Sequence, residues 1–330
     1  MAKLGKKKII AVRDLENRLG SKKFLDFVAA CEAEFKAQVK DISDYVLANQ
    51  DINMVFLSGP TSSGKTTFSN LFTKSLTAAG RKTHLISMDD YYSLSEPRYD
   101  AEGRPDYEGP DTLDLELLYR DLQKLQRGES VSIPTFIFKE RDRIYEEHKK
   151  ITPNATDTYM IEGLHGLSEE LLSQVDENKA VKIFIMPYAK LVSDHSIIDK
   201  TDMRILRRLS RDVFHRGSTA ISTIDFWPMI DAAEKKFVPG YIETADFYVN
   251  SALEYEYSVI VPKAREQIKI SLKLYEQGKL PPSNNVKPGV YYADLERAVK
   301  ESRRLLDACN QVPRVDPIVV PKDSILQEFI

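Results

Sequence analysis

Met54-Val-Phe-Leu-Ser-Gly-Pro-Thr-Ser-Ser-Gly-Lys-Thr-Thr67 is the stretch on which the fold turns. It opens as a short apolar run, the mark of a buried strand. It then passes through Ser58-Gly59-Pro60 into a segment predicted to be helical over 65–79 and closed by Gly80 at a C-cap. Between strand and helix, Gly59 to Thr66 fits G-x-x-x-x-G-K-[ST]. Gly59 and Gly64 let the Pro60-Thr61-Ser62-Ser63 backbone turn so that the N–H groups of Thr61, Ser62 and Ser63 point inward around phosphate oxygens, Pro60 having no N–H to offer. The helix start at Lys65, Thr66 and Thr67 aims its positive end at the same point. Lys65 supplies a mobile cation for the β- and γ-phosphates, and the Thr66 hydroxyl suits Mg²⁺. The expected ligand is therefore ATP with Mg²⁺.

Working outward, His84-Leu-Ile-Ser is a second strand ending at Met88-Asp89-Asp90, followed by a Tyr/Pro/Asp/Gly-rich loop over 91–111. Asp111 or Thr112 is expected to cap a helix reaching about Arg127. Alternating apolar and charged residues from Val131 to Thr152 predict a β-hairpin. Strands are expected at 158–161, 181–186 and 246–250, and helices at 202–216, 219–237, 255–277 and 291–309. The tail from Pro313 is expected to wrap the surface. Ahead of the first strand, Phe24, Phe27, Val28, Cys31, Phe35, Val39, Ile42, Tyr45 and Val46 recur at helical spacing and predict one amphipathic helix over 20–49. Its apolar stripe suits docking on the domain that follows or, alternatively, a coiled coil or partner. Strands alternating with helices predict an α/β, doubly wound, mostly parallel P-loop sheet with a hairpin insertion, an α-helical lid and added terminal helices. The expected divisions are a helical extension over 1–50, a P-loop domain over 51–252 (hairpin about 131–152, lid about 202–217), and C-terminal helices and tail over 253–330.

Composition narrows the class. Of 330 residues, 47 are Lys or Arg and 50 are Asp or Glu, for a net charge of −3. That balance lacks the basic bias of a nucleic-acid binder, so no nucleic-acid partner is expected. Cys31 and Cys309 have neither the number nor the spacing of a metal or disulfide framework, which points to a reducing, cytoplasmic setting. The basic start, Met1 to Lys8, is followed only by a four-residue apolar run, so neither a secretory signal nor a membrane partner is expected. The expected partner is a small-molecule acceptor, and homo-oligomerisation is left open.

Three clusters complete the cradle. Asp89 stands at a strand's carboxyl end, where open α/β sheets bind ligands, and a carboxylate there can take the proton of an attacking hydroxyl. The alternative is a cap or a water-mediated Mg²⁺ contact. Glu162 ends the apolar run Tyr159-Met-Ile, where P-loop enzymes orient their metal; the alternative is a loop carboxylate without a ligand. Arg204, Arg207, Arg208, Arg211 and Arg216 fall within thirteen residues, most of them on one helical face. A triphosphate suits such a face, with Gly217 as the flexible end of a lid. The alternative is a solvated face pairing with Asp202 and Asp212.

These motifs, taken in order, resemble the phosphoribulokinase/uridine kinase family. They are the cradle, Ile86-Ser-Met-Asp-Asp-Tyr-Tyr92, Gly109-Pro-Asp-Thr-Leu-Asp114, Ile133-Pro134, Ile161-Glu-Gly163, and Thr201 to Gly217. The resemblance covers about residues 53–250. Phe138-Lys139, Trp227-Pro228, Asn250-Ser-Ala252 and the ending Ser324-Ile-Leu-Gln-Glu-Phe-Ile330 are similar to a bacterial nucleoside kinase branch. In that branch the kinase often follows a threonyl-tRNA-synthetase-like module, which is expected here to be missing or reduced to the 20–49 helix.

The resemblance implies MgATP-dependent transfer to a nucleoside 5′-hydroxyl. Asp89 is then the base, Tyr92 lines the acceptor site, and Thr66 and Glu162 serve Mg²⁺. It further implies that Arg208 bridges substrate and phosphates while Arg211 and Arg216 belong to the lid. Glu108 stands where these kinases carry a ribose-binding aspartate. Phe136 and Arg141 stand in place of the tyrosine and histidine that read the pyrimidine, and Ser218 in place of an arginine. Phe136 can stack on a base and Arg141 can meet a carbonyl or anion. Another small hydroxyl acceptor, including a phosphorylated sugar met by Arg141 and Arg143, is a second enzyme reading. A nucleotide-binding regulatory module is a third. His165 is expected to make a structural hydrogen bond, and Trp227 to pack in the core.

Overall fold

The apolar run at 54–58 is the middle strand of a five-stranded sheet in the computed structural model, which describes residues 7–330. The lysine-bearing start up to residue 6 lies outside the described residues. The elements in chain order are β1 (Lys8–Ala11), α1 (Val12–Asn17), α2 (Ser21–Ala48), β2 (Met54–Ser58), α3 (Lys65–Ala78), β3 (Thr83–Ser87), α4 (Leu115–Gln126), β4 (Val131–Ile137), β5 (Asp142–Ile151) and β6 (Thr158–Gly163). They continue with α5 (Glu169–Leu172), β7 (Ala180–Met186), β8 (Ala189–Val192), β9 (Ser196–Ile198), α6 (Lys200–His215), α7 (Ala220–Thr244), β10 (Phe247–Asn250), α8 (Glu256–Glu276) and α9 (Leu295–Cys309).

The main sheet has the order β10-β7-β2-β6-β3, and every neighbouring pair is parallel. The chain leaves β2 toward the β3 edge and later returns to β7 and β10 on the other side, so strand order switches direction at β2. Ligands in such sheets bind in the crevice beyond the strand ends at this switch. β2 and β6 are buried along their whole length, as near-continuous apolar strands covered on both faces must be. Val55, Leu57, Met160, Ile183 and Ile185 face a cluster that includes α2, α3, α6 to α9 and the C-terminal tail. Met54, Phe56, Ile86, Ile161 and Phe184 face a second one with α4 and the hairpin.

The stripe on α2 is buried at Phe24, Phe27, Val28, Cys31, Phe35, Val39, Ile42 and Val46. Tyr45 is the exception, half-exposed and edge-on to Phe247 at 5.0 Å. The helix lies along α3. It is fastened by Glu32, which accepts from the Tyr255 hydroxyl at 2.6 Å, and by Lys36, paired with Asp323.

Four differences from the expected elements have physical causes. The helix expected from Asp111 or Thr112 starts later, because Pro110–Thr112 form a 3₁₀ turn in which Thr112 Oγ1 is spent on the Gly109 carbonyl. Asp114 caps α4 instead. α7 runs to Thr244 through Pro228 and Pro239, since burial of Ile230 and Tyr241 outweighs the two lost amide hydrogens. A three-stranded sheet, β1-β8-β9, stands apart from the main one; its strands of three or four residues are too short to show a period. The tail does more than wrap the surface, for Ile325, Leu326 and Phe329 are fully buried.

Candidate active site

β2 delivers Gly59 to the sheet's carboxyl edge, and the chain then turns tightly. A Cβ at Gly59 would lie 2.4 Å from the Ile185 carbonyl oxygen, so only glycine fits. Gly64 is left-handed at φ +88° and opens α3. The turn leaves the Ser62 and Ser63 hydroxyls buried and without a partner. Lys65 Nζ lies across the mouth, donating to the Gly59 and Pro60 carbonyls at 2.9 and 3.3 Å. Inward-turned backbone, orphaned hydroxyls and a helix N-terminus form an anion-binding concavity, which the residues expected from the motif build together.

The register of the sheet brings the acidic side chains to this concavity. Leu57 and Ser87 both stand opposite Glu162, and Ser87 Oγ donates to Glu162 Oε1 at 2.9 Å. Burial raises the Glu162 carboxyl above its usual range, opposed by the Lys65 charge and the Ser87 hydrogen bond and reinforced by Asp89 and Glu328. Thr66, in the first turn of α3, is exposed. Asp89 follows β3 in a 3₁₀ turn and is exposed. Its neighbour Asp90 is committed elsewhere, to Lys149 at 2.7 Å and the Phe136 amide at 3.3 Å, and so ties the hairpin to the sheet.

The hairpin and the 91–111 loop form the far wall. Tyr92, Phe136 and Phe138 make an aromatic corner with centroids 5.0–5.7 Å apart, and Tyr107 joins it at 6.4 Å from Tyr92. The Tyr92 hydroxyl donates to the Tyr107 carbonyl at 2.8 Å. Burial raises the Tyr92 hydroxyl well above its ordinary value, reinforced by the Asp89 and Glu108 charges and opposed by Arg208 and Arg216. Burial pushes Glu108 above the usual carboxylate range, with Arg208 pulling it back. A cleft of about 220 Å³ continues beside them, lined by Ser93, Glu96, Arg98, Tyr107, Asp111 and Arg141 among others.

The arginine helix requires the largest correction. α6 packs against α7 and α8, and its exposed residues are Lys200 at the start and Phe214 and His215 at the end, with Arg216 and Gly217 exposed just beyond. Arg204 and Arg207 do not face the phosphate space as a shared face would predict. Arg204 pairs with Glu234, lies 5.3 Å from the Trp227 ring and donates to the Thr61 carbonyl at 3.0 Å. Arg207 is wholly buried, bonded to Glu256 at 2.7 Å, the Ser251 carbonyl at 3.0 Å and the Ser62 carbonyl at 3.1 Å. Arg208 reaches Thr61 Oγ1 at 3.0 Å. Arg204, Arg207 and Arg208 thus hold the loop at Thr61 and Ser62. Arg208, Arg211 and Arg216 also share buried Asp212 at 3.2, 3.3 and 3.5 Å.

Two further expectations change. Arg143 is spent on Asp114 and the Tyr92 carbonyl, both at 2.7 Å, and so supports the wall instead of meeting an anion. Arg141, left-handed at φ +49°, bonds the Ser93 carbonyl at 2.9 Å as well as that of Ser95 and lies 5.9 Å from the Phe136 ring. His165 makes two hydrogen bonds, to the Tyr241 hydroxyl at 2.6 Å and the Glu108 carbonyl at 2.8 Å, fixing the backbone that carries Glu108. Trp227 is buried. The spacing could have flagged Asp212, which lies four residues after Arg208 and four before Arg216; nothing local pointed to Glu234, Glu256 or Glu328.

The profile described as the Phosphoribulokinase / Uridine kinase family matches residues 54–256. A uridine kinase of Macrococcus caseolyticus is 28% identical over 198 residues, 59% of this chain and 86% of its own length. One from Staphylococcus epidermidis is 26% identical over 67% of this chain and 98% of its own, and one from Leuconostoc citreum 27% over 68% and 94%. A solved structure described as a possible uridine kinase from Bacillus stearothermophilus aligns with a TM-score of 0.44 at 18% identity, over 65% of this chain and 98% of that one.

Proposed function

The chain belongs to the phosphoribulokinase/uridine kinase family of ATP-dependent kinases, and from that premise we propose that it transfers the γ-phosphoryl group of MgATP to the 5′-hydroxyl of a nucleoside, with uridine or cytidine the first acceptors to test. One observation carries this reading. Asp89, exposed at the end of β3, stands two residues after Ser87, whose hydroxyl reaches Glu162 beside the cradle, and three residues before Tyr92 of the aromatic corner, so it lies between the two half-sites. A phosphoryl donor and a hydroxyl acceptor can meet only where two such half-sites adjoin.

MgATP supplies the phosphoryl group; the chain's own residues position and neutralise. The amides of residues 61–66 and the Lys65 ammonium hold the polyphosphate. Thr66 and Glu162 hold Mg²⁺, a cation that typically takes one or two protein oxygens besides the phosphates and water. Asp89 accepts the proton of the attacking hydroxyl, Glu108 binds the ribose hydroxyls, and Phe136 or Tyr92 stacks on the base. Arg208, Arg211 and Arg216 face the charge that moves, with the exposed end of α6 closing over it. Positioning and electrostatics supply most of the acceleration in such transfers.

The aromatic corner also supports a second acceptor class. Arg141 beside the 220 Å³ cleft suits a hydroxyl substrate that already carries an anion. A panel of nucleosides and sugar phosphates, followed by ADP release with MgATP, separates the two. Stimulation by pyrimidine nucleosides is the expected result; stimulation by sugar phosphates alone replaces the acceptor, and stimulation by neither favours a nucleotide-binding regulator.

A further inference from the structure

The C-terminal tail returns to the phosphate loop. Residues 324–329 form a hook whose 3₁₀ turn, Ile325–Glu328, is capped by Ser324. The Ser324 hydroxyl lies 3.1 Å from that of Tyr255, which anchors the hook to α8 and, through Glu32, to α2. Ile325 is fully buried against Gly64; a Cβ on that glycine would sit 1.9 Å from Ile325 Cδ1. Phe329 is buried with its ring 5.2 Å from the Arg207 guanidinium, which itself holds the Ser62 carbonyl. The hook therefore touches the loop at its helix-opening glycine and at the arginine that braces it.

Between these two anchors lies Glu328. Its Oε1 accepts from Arg211 Nη1 at 3.1 Å, while Oε2 is buried and without a partner. Ile325 against Gly64 on one side of it and Phe329 beside Arg207 on the other hold Glu328 next to the loop. We propose that the hook is part of the nucleotide site, with Glu328 the positioning residue that holds Arg211 toward the phosphates. Asp212 grips Arg211 at Nε and Glu328 grips it at Nη1, leaving Nη2 as the donor aimed by both. An arginine held at two points loses less freedom when it engages an oxyanion. The pair keeps partial access to water, with side chains 16% and 25% exposed. Pairs of that kind contribute little to folding, so its loss belongs in binding and not in melting.

This inference rests on the kinase reading above. The test measures MgATP affinity by calorimetry for the full chain, for Glu328→Gln and Glu328→Asp, and for Glu328→Gln in an Arg211→Met background. Glu328→Gln is expected to weaken affinity about tenfold, the lower end of what an orienting partner contributes elsewhere, with an unchanged melting temperature. Glu328→Asp should recover part of the loss, and Glu328→Gln should cost nothing further once Arg211 is gone. Unchanged or tighter affinity in Glu328→Gln overturns the proposal, as does an equal loss in the Arg211→Met background. Wild-type protein that binds no MgATP would instead break the kinase reading on which the inference stands.

Discussion

Asp89 and Asp90 are adjacent and chemically identical, yet the structure gives them different work. Asp90 is held by Lys149 and the Phe136 amide, whereas Asp89 is exposed and free to serve as the proposed base. Asp89→Asn should therefore lower turnover by about 10²–10⁴-fold, the range of general-base catalysis, while MgATP affinity stays near wild type. Near-normal turnover by steady-state assay would remove Asp89 from the mechanism. Glu162 offers a test through pH. Its folded-state carboxyl is raised, chiefly by burial. Below the ordinary glutamate value of about 4.3 it is protonated in both the folded and the unfolded chain, and the burial cost is absent. As pH rises through the raised value, folding must bear a buried charge and stability falls. Glu162→Gln should thus melt higher than wild type near pH 8, with the gap closing toward pH 4, although the variant loses its Mg²⁺ contact. A gap of the same size at both pH values would contradict this assignment.

Among elements, α6 shows why spacing alone misassigned side chains. Four of the five arginines, 204, 207, 208 and 211, stand at i, i+3 and i+4 spacing and look like one phosphate-facing surface. Their partners, Glu234 on α7 and Glu256 on α8, are distant in sequence, and only packing reveals that Arg204 and Arg207 are internal struts. Arg207→Met should cost about 3–5 kcal/mol in chemical denaturation, because it strands Glu256 as a buried unpaired charge. Arg207→Met combined with Glu256→Met should recover much of that loss while leaving the Ser62 carbonyl without its brace. If the double variant were as unstable as the single one, Arg207 would owe its stabilising effect to the loop contacts instead. Elements with strong signals were legible: the apolar runs of β2, β6 and β7 and the stripe on α2 stand in the chain close to where they were expected. Those that depend on partners were not. The α4 cap moved because Thr112 turned to its own loop, and β1, β8 and β9 exist only through pairing with one another.

Across the whole molecule, the parallel, doubly wound character of the sheet, the glycine-rich loop and the acidic strand ends follow from local sequence, since each needs only a strand, a turn and a helix in succession. The acceptor wall and the C-terminal hook do not, for they join segments as far apart as Gly64 and Ile325. α2, Tyr255 and the hook meet at hydrogen bonds of 2.6 and 3.1 Å, so the two ends of the chain support the same loop from one side. The central claim is that a triphosphate nests at the junction of β2 and α3 beneath Asp89. Titration calorimetry of the full chain with MgATP tests it most directly, paired with the same titration of Lys65→Ala. One saturable site per chain, strongly weakened in the variant, is the expected result. No saturable binding of any nucleoside triphosphate with magnesium, or equal binding by the Lys65→Ala chain, would contradict it.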